Sequence, residues 1–325
     1  MTRYALGIDS GATNMRIGLV DDQGTILKET RVPTVGLSDP DRFVLQLQEL
    51  TESFLEDEDV RKYSIEGLGI GSSGQINREG ELFGYNGKPI LDFVPVPIRA
   101  RLEETLRMPV RIVNDAQAAV YAEALYGAGK GRKSVVGLTI GTGIGGGIVI
   151  DRQIWQGAKG LAGHLGFLII DFEGEEAPSE VPGPAEDFGS GTSIGRIARK
   201  WVAADREAGS AMLRIADGDL NKVSGFTVFE AAKQNDPLAQ KVVAYCGKAI
   251  GAACASIIHA FNPDVIVLSG GVADQGDMLL DPIRDFVRKH CLWTVRDTPL
   301  GIAELGSRAG IIGSAALMFD DRWQQ

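Results

Sequence analysis

One pattern occurs twice in this chain, and that repetition restricts the fold more than any other feature. "RYALGIDSGATNMRIGLVDDQGTILKETRV" reads as strand, glycine turn, strand, Asp/Gly turn, strand. Apolar runs bounded by such turns predict an antiparallel meander. "SVVGLTIGTGIGGGIVIDRQIW" repeats the order from Ser134. Aligned on their turns, Asp9–Asp21 and Ile140–Asp151 occupy equivalent places. Alternating strands and helices follow each copy, so a duplicated α/β domain is expected.

The other segments fit that plan. Phe43, Leu47, Leu50 and Phe54 recur at helical spacing within residues 40–63. "IEGLGIGSSG" reads as a buried strand ending in a loop of small residues. A helix over "VPIRARLEETLRM", a strand over "PVRIVND" and a helix over "AQAAVYAEALYGAG" come next. "LGFLII" after the second hairpin also reads as a strand, and 171–191 is a long acidic loop rich in proline and glycine. Helices are expected at 196–216, 226–234, 237–261, 279–290 and 308–319. Strands are expected at "PDVIVLSGGV" and 300–304. The expected domains are 1–115 plus 308–325, and 116–307.

With 325 residues, the chain is long enough for a substantial core without staples. Its composition, 44% apolar and 23% charged, is that of a soluble globular protein. Net charge is −10, and the one dense basic cluster, "GKGRK", is too short to follow a nucleic-acid backbone. Nucleic acid is therefore excluded as a partner. Cys246, Cys254 and Cys291 show no CxxC spacing and read as reduced thiols. The N-terminus enters a strand at once, so no signal peptide is expected. "AIGAACASIIHAF" is too short to cross a bilayer. A cytoplasmic chain without a membrane partner is the expectation.

Several motifs carry chemistry. "TIGTGIGGGIVI" holds a formal GxGxxG, but strand rather than helix follows it, which argues against a nicotinamide-dependent oxidoreductase. The segment is either a phosphate cradle of converging backbone N–H groups or a plain glycine hairpin. In "GIDSGATN", Asp9 beside a turn of N–H and hydroxyl groups suits a magnesium–polyphosphate site, or else merely starts a hairpin. In "IVNDAQAA", Asn114 and Asp115 stand at a strand end, where ligands gather in open α/β sheets. Asp115 is either a general base or the cap of the next helix. "VLSGGV" adds a glycine turn over which a flat ring can slide.

Taken in order along the chain, these motifs resemble the ROK family of sugar kinases and sugar-responsive repressors, in the actin/hexokinase-like ATPase superfamily. The resemblance runs from "GIDSGAT" through "VNDAQAA", "TIGTGIGGGIV", "GAKGLAGHLG" and "NPDVIVLSGGV" to "GSRAGIIGSAALM". It implies two ribonuclease-H-like (actin-like ATPase) domains around a central cleft, ATP with Mg2+, and phosphoryl transfer to a sugar hydroxyl. It also implies a homodimer. Under the resemblance, Asp9, Gly11, Thr13 and Asn14 match the first phosphate loop, with Asp9 holding magnesium through water. Thr142 and Gly143 match the second loop, and Gly270 and Gly271 the adenosine turn. Asp115 matches the catalytic base. Gly74, Asn86, Asn114 and Glu186 match sugar-binding positions. The substrate expected is a hexose or N-acetylhexosamine. The alternative is a sugar sensor without catalysis; that branch carries an N-terminal helix-turn-helix, whereas this sequence begins directly with the first phosphate strand and keeps Asp115, so the kinase is the expectation.

His164 departs from the family pattern. The family reads G-x-x-G-x-A-G-E-x-G-H here, with the glutamate on sugar and the histidine on a structural zinc completed by three cysteines. In this chain His164 takes the glutamate's place and Phe167 the histidine's, and the following loop has no cysteine. No zinc site is expected. Pro178, Pro182 and Pro184 are candidates for stiffening the loop in its stead. His164 is then a sugar contact or a histidine satisfied within a turn. As a contact, a neutral imidazole in place of a carboxylate changes which hydroxyls are preferred.

Overall fold

The computed structural model describes residues 1–35, 39–85, 88–89, 95–174 and 181–323. The chain forms two compact units. One comprises Met1–Lys133, Gly147–Gly163 and Glu304–Gln325; the other comprises Ser134–Gly146 and His164–Ala303.

In the first unit, β1 (Tyr4–Ser10), β2 (Asn14–Asp21) and β3 (Ile26–Pro33) form the expected meander. Helix α1 (Pro40–Leu55) follows, then β4 (Ile65–Ser72), the short β5 (Gln75–Ile76), β6 (Leu82–Tyr85) and β7 (Lys88–Pro89), α2 (Ile98–Leu106), β8 (Val110–Asn114) and α3 (Asp115–Tyr126). The sheet order is β3-β2-β1-β4-β8. Strands β1, β4 and β8 run parallel, and their register aligns Ser10 with Ser72 and Ser72 with Asn114. That alignment brings the strand ends that carry the polar motifs to one edge. Leu6, Ile8, Ile17, Leu68 and Ile70 are fully buried and join Phe43, Leu47 and Phe54 of α1 in one core. The apolar stripe that predicted α1 is the face it buries.

The second hairpin is β9 (Ser134–Ile140) and β10 (Ile144–Ile150), continued by β11 (Gln153–Ile154). Then come α4 (Glu186–Gly189), α5 (Gly191–Ala204), α6 (Ser210–Ile215), α7 (Gly225–Lys233), α8 (Pro237–Phe261), β12 (Val265–Ser269), α9 (Asp277–His290), β13 (Leu300–Ile302) and α10 (Ala309–Ala316). The sheet order is β11-β10-β9-β12-β13. Position for position, this is the first sheet again: an antiparallel meander extended by two parallel strands. The duplication legible in the turns extends to the whole sheet.

The helix expected at 196–216 breaks at Asp205 into α5 and α6, and three further details differ from the sequence reading. The first unit continues past Asp115 to Lys133, because α3 packs on α10. It takes in Glu304 and Leu305 as well, whose N–H groups donate to the buried Glu123 carboxylate of α3 at 3.1 and 2.8 Å. The run 165–170 is not a strand. Its N–H groups close a 3-10 turn at Leu165–Phe167, with Phe167 donating to the His164 carbonyl at 3.1 Å. One bridge, Ile169 with Pro184, is its sheet-like contact among the described residues. Finally, α8 spans 25 residues, long enough by length to cross a bilayer. It packs instead between α7 and α9, with Val242, Cys246, Ile250, Cys254 and Ile257 fully buried, as the core helix of the second unit.

Candidate active site

Asn114, not Asp115, caps α3. Its Oδ1 accepts from the Ala116 N–H at 3.0 Å, and Gln117 Oε1 accepts the Asn114 N–H at 3.2 Å, which completes a capping box. Asp115, the first residue of α3, shares the Ala116 N–H with the cap and turns its other oxygen to Ser73. Its Oδ2 accepts from Ser73 Oγ at 2.7 Å and its Oδ1 from the Ala116 N–H at 2.9 Å. Asn114 Nδ2 donates to the Gly74 carbonyl at 3.0 Å. Gly74 sits at φ +111°, and a Cβ there would overlap the Gly84 carbonyl, so the turn that carries Ser73 requires glycine. The β4–β5 turn and the start of α3 are tied together by these two bonds.

Asp9 lies in the same unit at the end of β1. Burial first, then the Asp115 charge, push its pKa up to about 6, while Arg16 opposes the shift. A Cβ on Gly310 of α10 would lie 2.5 Å from Asp9 Cγ, so the carboxylate occupies space that only glycine leaves open. The buried Ser10 Oγ beside it has no hydrogen-bond partner among the described residues. A buried carboxylate whose proton affinity is raised by burial and by a second acid, next to a buried hydroxyl without a partner among the described residues, fits a divalent cation with its water shell. The first glycine turn closes through the Gly11 N–H to the Asn14 carbonyl at 3.1 Å. Thr34 braces it, with Oγ1 donating to the Gly11 carbonyl at 2.8 Å and N–H to the Thr13 carbonyl at 2.9 Å. Thr13 itself is exposed. Asn86 lies outside the described residues.

In the second unit the matching turn closes through the Gly141 N–H to the Gly143 carbonyl at 2.9 Å, and Thr142 is exposed. No acid stands on β9 where Asp9 stands on β1. Glu186 of α4 supplies a carboxylate from elsewhere: its Oε2 accepts the Ile144 N–H at 2.6 Å. A Cβ on Gly143 would lie 2.5 Å from that same oxygen. Burial is the main cause that pushes the Glu186 pKa up, with the Ile144 bond pulling it back. The 3-10 turn after His164 abuts the same residue, since a Cβ on Gly166 would overlap the Ile144 carbonyl. The turn that begins at the half-buried His164 and the Glu186 carboxylate thus both meet Ile144 at the start of β10. The Gly270 turn closes over β9: Val272 N–H donates to the Ile140 carbonyl at 3.2 Å, and Gly270 has φ +92°. A Cβ on Gly271 would meet open space.

Comparison with known proteins matches these features to a family. The ROK family pattern covers residues 5–321. The chain belongs to the ROK family. It is similar to a glucokinase from Halalkalibacterium halodurans, 33% identical over 322 residues, with 97% of this chain and 95% of that protein covered. A glucokinase from Streptomyces coelicolor is 31% identical, with 96% of each covered. The crystal structure of a ROK family glucokinase from Streptomyces griseus in complex with glucose and AMPPNP superposes with a TM-score of 0.79 at 30% identity, covering 97% of this chain and 98% of that one. Its fold class, two actin-like ATPase domains, is that of this ROK chain.

Of the sequence candidates, the structure brings Asp9, Gly74, Asn114 and Asp115 together in one unit, and His164, Gly143 and Glu186 in the other. Ser73, Gln117 and Gly310 escape the sequence reading. Ser73 lies inside the quoted "GSSGQIN" loop, but nothing in the loop marks which serine meets the aspartate. Gln117 fits the capping-box spacing after Asn114, a signal that was present. Gly310 carries no local signal, because Asp9 is 301 positions away.

Proposed function

We propose that this ATP-dependent sugar kinase of the ROK family uses Asp115 as general base on a hydroxyl of a hexose or N-acetylhexosamine. The observation that carries this reading is the Ser73–Asp115 bond of 2.7 Å, which with the Ala116 N–H orients the Asp115 carboxylate. A base so fixed accepts the hydroxyl proton as the sugar oxygen attacks the γ-phosphorus of ATP. Gly74, Asn114 and His164 are the proposed sugar contacts. Glu186 is held at Ile144, so its role is to set the second phosphate turn as well as the sugar side. Gly11, Thr13 and Asn14 in the first turn, and Thr142 and Gly143 in the second, bind phosphate oxygens; Gly270 and Gly271 pass the adenosine. Asp9 is the residue that would hold magnesium, which when bound neutralises charge on the phosphates.

The test is sugar-dependent ADP release from Mg·ATP across a hexose and N-acetylhexosamine panel, with Asp115→Asn beside the wild type. The variant should lose about 10²–10⁴-fold in kcat while still binding sugar. Turnover within tenfold of wild type removes Asp115 as the base. Binding of a sugar by the wild type without any turnover favours the sensor. Within the same panel, His164→Glu should change the ratio of kcat/KM between two sugars by about tenfold, since it exchanges a donor for an acceptor. An unchanged ratio removes His164 from the sugar site.

A further inference from the structure

Away from those residues, a cavity of about 410 Å³ opens in the first unit, lined by Arg78, Gln153, Gln156, Arg322 and Trp323. That volume lies within the ~300–1,000 Å³ common for small-molecule sites. The two arginines face one cavity in an acidic chain of net charge −10. Arg3, Lys28, Arg101 and Arg284 each pair with carboxylates, whereas neither Arg78 nor Arg322 has a carboxylate partner among the described residues. Each is held by one main-chain oxygen: Arg78 Nε donates to the Gly157 carbonyl at 2.9 Å, and Arg322 donates to the Asp151 carbonyl at 2.6 Å. Their remaining N–H groups are left for a ligand. Asp320 accepts from the Arg322 backbone N–H at 3.0 Å and from Gln153 Nε2 at 3.5 Å, and its charge favours the Arg111 guanidinium. Arg111 also lies 5.5 Å from the Trp323 ring centroid and helps fix the indole.

We propose that this cavity is a second, non-catalytic site for the phosphate monoester of a sugar. Two guanidinium forks without counter-ions match a phosphate dianion, which accepts several charge-assisted bonds at once. The Gln153 and Gln156 amides offer donors and acceptors to hydroxyls, and the indole offers a flat apolar face to the C–H side of a sugar ring. The site also touches a segment that matters. The Gln156 carbonyl accepts the Ala162 N–H at 3.0 Å, and Arg78 grips Gly157, so the cavity wall is the glycine loop that leads in sequence to His164. Occupancy there biases that loop.

The experiment is calorimetric titration of the full chain with glucose 6-phosphate and, separately, with inorganic phosphate. Wild type should bind one equivalent of glucose 6-phosphate more than Arg78→Gln/Arg322→Gln. Arg322→Gln alone, which keeps the Arg78–Gly157 bond, should weaken that equivalent roughly tenfold or more. Trp323→Leu should weaken the sugar phosphate but not inorganic phosphate. Equal stoichiometry in wild type and the double variant overturns the site. Equal affinity for both probes, untouched by Trp323→Leu, overturns the sugar half and leaves a phosphate site. Because the count is a difference between two proteins, it holds whether or not Asp115 acts as a base.

Discussion

The two glycine hairpins are built alike and handle charge in opposite ways. In the first, the acid belongs to the strand itself: Asp9 is buried, beside Asp115, and its carboxylate fills the space above Gly310. Among the described residues no backbone N–H donates to that carboxylate, so its negative charge is a cost to the fold. In the second, the strand has no acid, and Glu186 arrives from α4 to accept the Ile144 N–H at 2.6 Å. There the carboxylate satisfies a buried donor and braces the turn. One copy of the duplicated unit buries a carboxylate without a backbone donor among the described residues, and the other uses one as a structural strut.

The contrast can be broken most directly at Asp9. Its folded pKa, about 6, is raised above the ordinary 3.8, so the folded state holds a proton that the unfolded state has lost between those values. The stability contributed by protonated Asp9 is therefore complete below pH 3.8 and lost as pH rises through about 6. Relative to Asp9→Asn, the metal-free wild type should lose on the order of 3 kcal/mol of unfolding free energy between pH 3.5 and 7. Denaturant melts of both proteins at several pH values measure it. Parallel curves would mean that Asp9 is not an uncompensated charge.

Glu186 should behave in the opposite sense. Glu186→Ala orphans the Ile144 N–H and should destabilise by about 1–3 kcal/mol at pH 7, read from the shift of the urea midpoint. A stabilised variant would make the two hairpins equivalent after all. The smallest effect is expected at Gly271, where an added methyl meets open space. Gly271→Ala should leave stability within about 0.5 kcal/mol while weakening ATP binding in titration, if the adenosine passes over this turn. Unchanged ATP affinity would move the adenosine elsewhere.

The duplicated meander was legible because turn chemistry and strand alternation are local: Gly11–Thr13 and Gly141–Gly143 announce their hairpins within a few residues. Asp9, Asp115 and the Gly270 turn were legible for the same reason, each lying at the end of an apolar run. "LGFLII" misled because its apolar content is as suited to a turn packed on Ile144 as to a strand; alternation by itself does not report whether a neighbouring strand is there to pair. The reach of the first unit to Lys133 was hidden too, since it depends on α3 meeting α10 across nearly two hundred residues.

What sequence alone determined about this protein is the set of elements and the order of its chemical groups, because strands, turns and caps follow from neighbours in the chain. Tertiary structure decided which partners those groups meet. Asn114 rather than Asp115 became the cap, Ser73 became the partner of Asp115, and Glu186 was drawn to Ile144. Each of those outcomes depends on strand register and helix packing that bring distant residues within hydrogen-bond range, and no local propensity encodes a distance across the fold.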